Sequence, residues 1–459
     1  MTTRENFGSK LGAILAAAGS AVGLGNVWRF PIETGQHGGA AFIIIYIICI
    51  LLLGIPIMMS EFLIGRRTHS NTARAYDQLS GGTCWKWLGR LGVFTGTFIL
   101  CYYCVVGGWT LQYTTMAATG AFDGVPANEF GSLFQTFVAN PWMPTVWLII
   151  FMLMTHIVVS RGIQHGIERF SKIIMPTLFI LVVLLVVCSV CLPGAGAGIE
   201  FLLKPDFSKV TGKVILGAMG QAFYSLSLGM GCLCTYASYF NHHTNLGRTA
   251  VNVCVIDTIV AIMAGFIIFP SVFNIGMDAN NLDAGAGLLF VSLPNVFQKS
   301  FGALPFLAIL FSTAFYFLIF IAALTSAISL HEVTTAFIVE EMKLKRRWAA
   351  LIVTAVCSAV GVVCSLSFGP LKDVLIFGMS IFDFFDYISG NIFLPVAGML
   401  ISIFAGWYLD RRILTEEFSN NGELRAKYIP LIVFLLRYIA PVAIGLVLLN
   451  QVGVFSCLA

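Results

Sequence analysis

The sequence predicts an all-α polytopic membrane protein, and three observations lead to this fold class. Of the 459 residues, 58% are hydrophobic and only 10% are charged, whereas a soluble domain is about 45–50% apolar and about 25% charged. The apolar residues form runs of roughly 20 or more, which is the length that a helix needs to cross a bilayer. The formal net charge of +4 is small and scattered, which excludes a nucleic-acid partner and leaves the lipid bilayer as the expected surroundings.

Apolar runs between charged breaks predict eleven transmembrane helices. Their approximate bounds are 11–34, 40–65, 89–120, 142–160, 166–191, 214–240, 248–275, 304–339, 348–367, 373–409 and 428–455. The tenth run is long enough for two helices, but it ends at Arg411 and Arg412, as a single crossing requires.

The basic residues predict the orientation of these helices. With a cytoplasmic N-terminus, 19 of the 26 Lys and Arg fall on the cytoplasmic side, five fall outside, and Arg29 and Arg437 lie within spans. Basic residues concentrate on the cytoplasmic side of membrane proteins. We therefore expect a cytoplasmic N-terminus and an external C-terminus.

The first and sixth spans are interrupted in the same way. The first contains GSAVGLGN from Gly19 to Asn26, and the sixth contains SLSLGMG from Ser225 to Gly231. Each Gly weakens a helix by roughly 1 kcal/mol relative to Ala, and for either segment alone close helix packing is an equally good explanation. Because they lie five spans apart, they together predict two inverted five-helix repeats with broken helices at a substrate site. We place the repeats at 1–192 and 193–410, with an additional eleventh helix in 411–459.

Acidic residues outnumber basic ones inside the predicted spans. Each ionisable residue at mid-bilayer costs about 2.5–3.5 kcal/mol on insertion scales. Only Arg29 and Arg437 offset the acidic residues, which are Glu33, Glu61, Asp257, Glu332, Asp383 and Asp386. Salt bridges and cavity solvation explain Glu33 and Glu61, but not an excess of four acids. A bound hard cation with oxygen ligands balances such an excess, so sodium or a proton is the expected coupling ion.

Several motifs resemble those of the neurotransmitter:sodium symporter family. The segment Gly19–Pro31 reads GSAVGLGNVWRFP and is highly specific. Further matching motifs are Gly38-Gly39, Gly54-Ile55-Pro56, Tyr102-Tyr103, Ser225–Gly231, Thr235–Tyr239 and Leu324–Ser326. The match covers nearly the whole chain in the correct order. It implies a LeuT-type 5+5 fold, and eleven spans resemble the common bacterial form, so a bacterial-type inner (plasma) membrane is the expected location.

The resemblance implies an amino-acid substrate at the two helix breaks. Its carboxylate would rest on the backbone amides of Leu24 and Gly25 and on the Tyr103 hydroxyl, near a helix N-terminus that favours anions. Amine-selective relatives carry an Asp where this chain has Gly23. The implied substrate site comprises Ala21, Gly23, Leu24, Gly25, Ile99, Tyr103, Tyr224, Ser225, Ser227, Met230, Ser326 and Leu330. No charged side chain is among them, so hydrophobic or aromatic L-amino acids are expected, because burying an unpaired charge is costly.

The resemblance also implies two Na+ sites. The first would use the Ala21 carbonyl, Asn26, Ser225 and Asp257 together with the substrate carboxylate. The second would use the carbonyls of Gly19, Val22 and Ala322 and the hydroxyls of Thr325 and Ser326. Without the resemblance, these hydroxyls would be interpreted as bonding to their own helix. Chloride-dependent relatives have Asn where this chain has Asp257. Tyr46, Gln221 and Ser225 match the family's chloride-site positions, but Ala261 replaces the remaining polar ligand, and a carboxylate already supplies the negative charge, so we expect chloride-independent transport.

Two gates are implied as well. Arg29 and Asp386 correspond to an outer ion pair that closes above the substrate with Tyr103 and Tyr224. On the inner side, Arg4 and Phe7 would contact Glu340 and Tyr239. In the fifth span, the spacing of Gly166 and Pro176 resembles a point of helix unwinding in bacterial relatives, whereas a proline kink without function is the alternative.

Three other functions compete with sodium symport. Proton-coupled amino-acid transport on the same fold is the nearest alternative. A channel would show carbonyl-filter or charge-ring repeats, and an intramembrane hydrolase would show a catalytic motif such as HExxH; neither pattern occurs. We therefore expect a transporter and not an enzyme. The sequence carries no signal for an oligomeric state.

Overall fold

A computed structural model describes residues 6–277, 286–301, 304–452 and 454. Most of the chain in these ranges is helical, and the one β-type feature within them is an isolated bridge between Ile376 and Met379. The helices of the first half are α1 Lys10–Ala21, α2 Gly25–Gln36, α3 Ala40–Thr68, α4 Thr72–Ser80, α5 Lys86–Ala118, α6 Phe130–Ala139, α7 Met143–Ser160, α8 Ile163–Val190 and α9 Ala195–Leu203. The predicted all-α class is confirmed.

The second half continues the same architecture. After a 3₁₀ turn at Phe207–Lys209, its helices are α10 Gly212–Ser225, α11 Cys232–Ala237, α12 Leu246–Asn274, α13 Leu293–Phe301, α14 Pro305–Glu341, α15 Arg346–Leu366, α16 Ile381–Tyr408, α17 Arg411–Phe418 and α18 Ile429–Gln451.

Nine helices in the described ranges are long and apolar enough to cross a membrane. A tenth crossing is formed by α1 and α2, which meet at a 50° bend. The predicted sixth span corresponds to α10 and α11, which residues 226–231 separate. Both interruptions therefore lie where the glycine-rich segments predicted them, and the total of eleven spans stays a prediction.

Several long helices widen into a π-helical turn shortly before a proline. Such turns occupy Ile50–Gly54 in α3, Ser389–Phe393 in α16 and Leu435–Ile439 in α18. Pro56, Pro395 and Pro441 follow them by two residues. Proline has no N–H and its ring crowds the carbonyl four residues earlier, so the wider turn relieves the clash without ending the helix.

The start of the predicted tenth span is wrong. The apolar run begins near residue 373, but α16 starts at Ile381, where the Ser380 hydroxyl accepts a hydrogen bond from the Asp383 amide at 3.1 Å. A turn with positive φ at Phe377 (51°) and Gly378 (81°) precedes it. Hydropathy alone does not detect such a turn because its residues are apolar.

The two broken segments lie at the centre of the bundle. The α1 helix packs against α8, α11, α12 and α14. Residues of both breaks, including Val22, Leu24, Leu226 and Leu228, are at most 2% exposed. Unpaired backbone groups in these breaks therefore lie inside protein and not against lipid, which is where a membrane protein tolerates them.

Candidate functional site

The first break is short and is held by side chains. Val22 ends α1 in an extended conformation, and α2 begins three residues later at Gly25. The Asn26 side-chain oxygen accepts a hydrogen bond from the Gly23 amide at 3.0 Å, and the Leu24 amide donates to the Tyr103 hydroxyl at 3.4 Å. The N-terminus of α2 therefore meets a phenolic hydroxyl, and such a helix end favours a negatively charged group.

The second break is longer and uses left-handed backbone conformations. Ser227, Gly229 and Gly231 have φ values of 54°, 82° and 76°, a region that glycine adopts at little cost. The Ser227 hydroxyl donates to the Ser20 carbonyl at 2.8 Å, and the Gly229 amide donates to the Glu61 carboxylate at 2.8 Å. These bonds connect the second break to the first and to α3.

A cavity of about 30 Å³ lies between the two breaks. Eleven of the twelve predicted substrate residues line it, namely Ala21, Gly23, Leu24, Gly25, Ile99, Tyr103, Tyr224, Ser227, Met230, Ser326 and Leu330. Ser225 is the exception, and it bonds to Asp257 instead. Ser20 and Cys232 also line the cavity and were missed, although Ser20 lies within the first glycine-rich segment and Cys232 directly follows the second.

The size and shape of this cavity restrict what it accepts. It has room for about two water molecules, so a larger ligand requires the lining side chains to move, and the flexible Met230 is suited to that. A Cβ atom at Gly23 would lie 3.2 Å from the Tyr103 hydroxyl and even closer to that of Ser326. The cavity therefore has no space for a side chain at position 23.

A buried polar cluster adjoins the cavity, formed by Asn26, Tyr46, Ser225 and Asp257 and named here the Asp257 cluster. One Asp257 carboxylate oxygen accepts a hydrogen bond from the side-chain amide of Asn26 at 2.7 Å. The other accepts from the Ser225 hydroxyl at 2.9 Å and the Tyr46 hydroxyl at 3.3 Å. All four residues are at most 1% exposed.

The Asp257 cluster contains a carboxylate but no basic side chain. Every hydrogen bond to the Asp257 side chain in the described part of the chain comes from a neutral group. A buried carboxylate without a counter-charge is strongly unfavourable. A cation or a proton at this position would balance it, and the surrounding amide, hydroxyl and carboxylate oxygens are ligands that hard cations prefer.

A second polar cluster lies between α1 and α14, formed by Gly19, Val22, Ala322, Thr325 and Ser326 and named here the hydroxyl cluster. The Thr325 hydroxyl donates to the Ala322 carbonyl at 2.8 Å and lies 3.5 Å from that of Val22, and the Ser326 hydroxyl lies 3.3 Å from the Val22 carbonyl. A Cβ atom at Gly19 would lie 3.5 Å from the Thr325 Cβ. The structure thus brings all five predicted residues of the second Na+ site together, with oxygen atoms only and no carboxylate.

The expected outer ion pair is not formed in this structure. Arg29 pairs instead with Glu33 at 3.6 Å, and its guanidinium carbon lies 5.0 Å from the centre of the Tyr224 ring. Glu33 is four residues further along the same helix, a spacing at which opposite charges commonly pair. Asp386 accepts a bond on its backbone carbonyl from Ser389 at 3.1 Å. The helical spacing of Arg29 and Glu33 was the signal that could have predicted this pairing.

On the inner side, the expected contact of Phe7 with Tyr239 is present, and Tyr239 and Glu340 have further partners. The Phe7 amide donates to the Tyr239 carbonyl at 3.1 Å, and their rings meet edge to face. The Tyr239 hydroxyl donates at 2.7 Å to Glu332, which is also held by Arg346. The Glu340 carboxylate accepts two hydrogen bonds from Asn71, one from its backbone amide and one from its side-chain amide. Arg4 lies outside the described residues.

Comparisons with known proteins extend these observations. The model of the sodium:neurotransmitter symporter family matches residues 4–124 and 133–458. The uncharacterized sodium-dependent transporter YhdH of Bacillus subtilis is 39% identical over 451 residues, and the match covers 98% of each chain. The sodium- and chloride-dependent GABA transporter 2 of mouse is 26% identical over 437 residues, with 84% of this chain and 70% of the relative covered.

A solved structure is similar over the same length. The crystal structure of MhsT in complex with L-phenylalanine has a TM-score of 0.87 and 42% sequence identity, covering 98% of this chain and 100% of that one. This similarity confirms the predicted LeuT-type fold. The relatives are transporters and not enzymes, and their dependence on sodium agrees with the buried Asp257 carboxylate, which is bonded only by neutral groups. The other acids counted in the predicted spans do not form such an excess, because Glu332 pairs with Arg346 and Asp383 is exposed. The chain belongs to the sodium:neurotransmitter symporter family of membrane transporters.

Proposed function

We propose that this protein is a sodium-coupled symporter that imports hydrophobic or aromatic L-amino acids by alternating access. The main supporting observation is that the Leu24 amide lies beside the Tyr103 hydroxyl at the N-terminus of α2, two residues before Asn26 of the Asp257 cluster. A substrate carboxylate at this point would touch both the helix end and a cation bound by the cluster. Ion and substrate would then complete each other's sites, and their affinities would rise together.

The lining of the cavity supports an amino acid over an amine. An amine transporter of this family is expected to carry an acidic side chain at position 23, and Gly23 leaves no space for one. The other lining side chains carry no formal charge: three are serines, and most of the rest are apolar or aromatic, among them Ile99, Met230 and Leu330. The related MhsT crystallised with L-phenylalanine, which agrees with a substrate of this kind.

The Asp257 cluster supports chloride-independent transport. A carboxylate already supplies the negative charge beside the proposed sodium ion, and Tyr46 and Ser225 donate to it. These two side chains match chloride-site positions of the family. An anion in the same place would meet Asp257 at short range and be repelled.

We also propose that the chain works as two repeats, 1–192 and 193–410, followed by the segment 411–459. Each repeat contributes one broken helix to the cavity, and the bond from Ser227 to the Ser20 carbonyl joins them. Rocking of one repeat against the other would expose this site to either side in turn. We place two sodium ions, one in each cluster.

Uptake into proteoliposomes tests this function. An inward sodium gradient should drive accumulation of a labelled aromatic amino acid, and unlabelled Leu, Met, Phe, Tyr and Trp should compete better than the other fifteen. Exchange of chloride for gluconate should leave uptake unchanged. Uptake that persists when choline replaces sodium at fixed pH would instead favour proton coupling, which a buried carboxylate such as Asp257 can also support.

A further inference from the structure

A second cavity lies away from the broken helices, between α17 and the first turns of α18. It measures about 340 Å³, more than ten times the cavity at the breaks. Two arginines, Arg411 and Arg437, line it together with apolar and aromatic side chains that include Val433, Phe434 and Tyr438. Neither sodium coupling nor amino-acid binding accounts for a cavity of this composition.

Arg437 is held in position by the end of α16. Its Nε donates to the Gly406 carbonyl, and the Trp407 indole donates to the Arg437 carbonyl at 2.9 Å. The guanidinium carbon lies 5.5 Å from the centre of the Trp407 ring, within the range of a cation–π contact. These contacts orient the guanidinium group without neutralising its charge.

Among the residues that the structure describes, no acidic side chain lines this cavity. Within the described ranges, neither Arg411 nor Arg437 has a carboxylate at ion-pair distance, whereas the two glutamates of α17, Glu416 and Glu417, pair with Arg67. Two guanidinium groups without a counter-charge favour an anion. Their planar arrays of N–H donors match the oxygen atoms of a phosphate.

Exposed aromatic side chains surround the cavity. Trp407 is 56% exposed, Phe434 50% and Tyr438 49%, and such residues concentrate at the interface between a bilayer and water. Arg437 lies eight residues into α18, about 12 Å along the helix from Ile429. The cavity thus has apolar walls and a positive charge at a depth where lipid headgroups meet acyl chains.

We propose that this cavity binds an anionic phospholipid from the adjoining leaflet. Its phosphate lies between Arg411 and Arg437, and an acyl chain lies along Val433 and Phe434. The apolar wall distinguishes a lipid from a soluble anion, which would gain nothing from Phe434. The basic-residue pattern predicts that this leaflet is the cytoplasmic one, where anionic lipids attract juxtamembrane arginines.

Native mass spectrometry of the purified full-length protein tests the proposal, with phosphatidylglycerol and phosphatidylcholine as probes. The wild type should retain one phosphatidylglycerol about tenfold more tightly than phosphatidylcholine. The double variant R411Q/R437Q should lose this preference. The matched control R412Q removes the same charge from the same short helix but not from the cavity lining, and it should keep the preference.

A single variant separates binding from folding. R411Q leaves the contacts of Arg437 with α16 intact, so its unfolding temperature without phosphatidylglycerol should equal that of the wild type. Added phosphatidylglycerol should raise the unfolding temperature of the wild type and R412Q but not of R411Q. The proposal would be overturned if R411Q/R437Q retained phosphatidylglycerol as tightly as the wild type does. It would also be overturned if R412Q lost the preference for phosphatidylglycerol to the same extent as R411Q/R437Q. Displacement of the lipid by inorganic phosphate alone would overturn it too, because the ligand would then be a soluble anion.

Discussion

The Asp257 cluster and the hydroxyl cluster share one helix break but differ in charge. Asn26 and Val22 contribute to them from the two sides of residues 23–24. The Asp257 cluster holds a carboxylate with three neutral donors around it. The hydroxyl cluster holds only carbonyl and hydroxyl oxygens, bonded to one another at 2.8–3.5 Å.

This difference separates two ways of binding a cation. A buried carboxylate is unfavourable until a positive charge joins it, so the sodium affinity proposed for the Asp257 cluster would come from charge. The neutral oxygens of the hydroxyl cluster satisfy each other without an ion, so the sodium affinity proposed for it would depend on how well their positions fit the ion. Sodium binding at the first cluster should therefore respond to pH and to loss of the Asp257 charge, and sodium binding at the second cluster to the loss of a single oxygen.

The largest expected effect follows from removal of the charge. D257A removes the carboxylate that accepts hydrogen bonds from Asn26, Tyr46 and Ser225, and with it the only formal charge of the cluster. We expect sodium-dependent substrate binding to weaken at least about 100-fold, equivalent to roughly 2.7 kcal/mol. Equilibrium binding of a labelled substrate at several sodium concentrations measures this. If substrate binding by D257A has an unchanged dependence on sodium, the first sodium ion is not bound by this cluster.

A second substitution at the same residue isolates charge from shape. D257N keeps a side-chain oxygen as an acceptor but carries no charge. If the Asp257 carboxylate takes the place of a bound anion, chloride should restore part of the sodium-dependent substrate binding that D257N loses. Substrate binding by D257N should then be roughly tenfold tighter in chloride than in gluconate. The wild type should show no such difference. A D257N protein equally active in both salts would contradict the proposed role of the carboxylate charge.

A smaller effect is expected in the hydroxyl cluster. T325A removes one neutral oxygen, and a hydrogen-bonding group that contacts a charge contributes about 1.5–3 kcal/mol. The sodium concentration for half-maximal binding should rise about tenfold, with no dependence on chloride. T325S retains the hydroxyl and should stay within about twofold of the wild type. If T325S fails as T325A does, methyl packing and not oxygen coordination is the reason.

A still smaller effect is expected from pH, and it should distinguish the two clusters. A proton competes with sodium for the Asp257 carboxylate, so binding should weaken as the pH falls. Between pH 7.5 and 5.5, we expect the sodium concentration for half-maximal binding to rise about threefold in the wild type and in T325S. D257N has no carboxylate to protonate, and its sodium requirement should change less than twofold. An equal response in D257N would assign the pH effect to another group.

The helix breaks and the cavity could be predicted from the sequence because a few local motifs contain them. Gly19–Asn26 and Ser225–Gly231 place most of the lining within two short segments. Cys232 was missed because, inside an apolar run, it is indistinguishable from a packing residue. The start of α16 was wrong for a related reason, since the turn before it is made of apolar residues.

The gates were less predictable because they depend on contacts between distant segments. Tyr239 follows α11, whereas its partner Glu332 lies on α14 and is shared with Arg346. Phe7 contacts Tyr239 as predicted, but nothing in the sequence around Tyr239 shows that its hydroxyl bonds to Glu332 and not to Glu340, because both lie on the same helix two turns apart. Their side-chain directions, which the packing of α14 determines, decide the pairing.

The smallest expected effect on sodium affinity comes from Arg29, which lies on α2 beyond both clusters. Its contacts are Glu33 and the Tyr224 ring, so R29A removes no oxygen and no charge from either cluster. If Arg29 closes the outer side by reaching Asp386 during the cycle, R29A should lower uptake about tenfold. The sodium concentration for half-maximal binding should change less than twofold, because binding does not require that closure.

E33Q is the matched control, since it removes the partner that Arg29 has here but not Arg29 itself, and it should retain most uptake. An uptake rate in R29A equal to that of the wild type would contradict a gating role for Arg29. A sodium affinity in R29A as low as that of T325A would show that Arg29 acts on the ion sites.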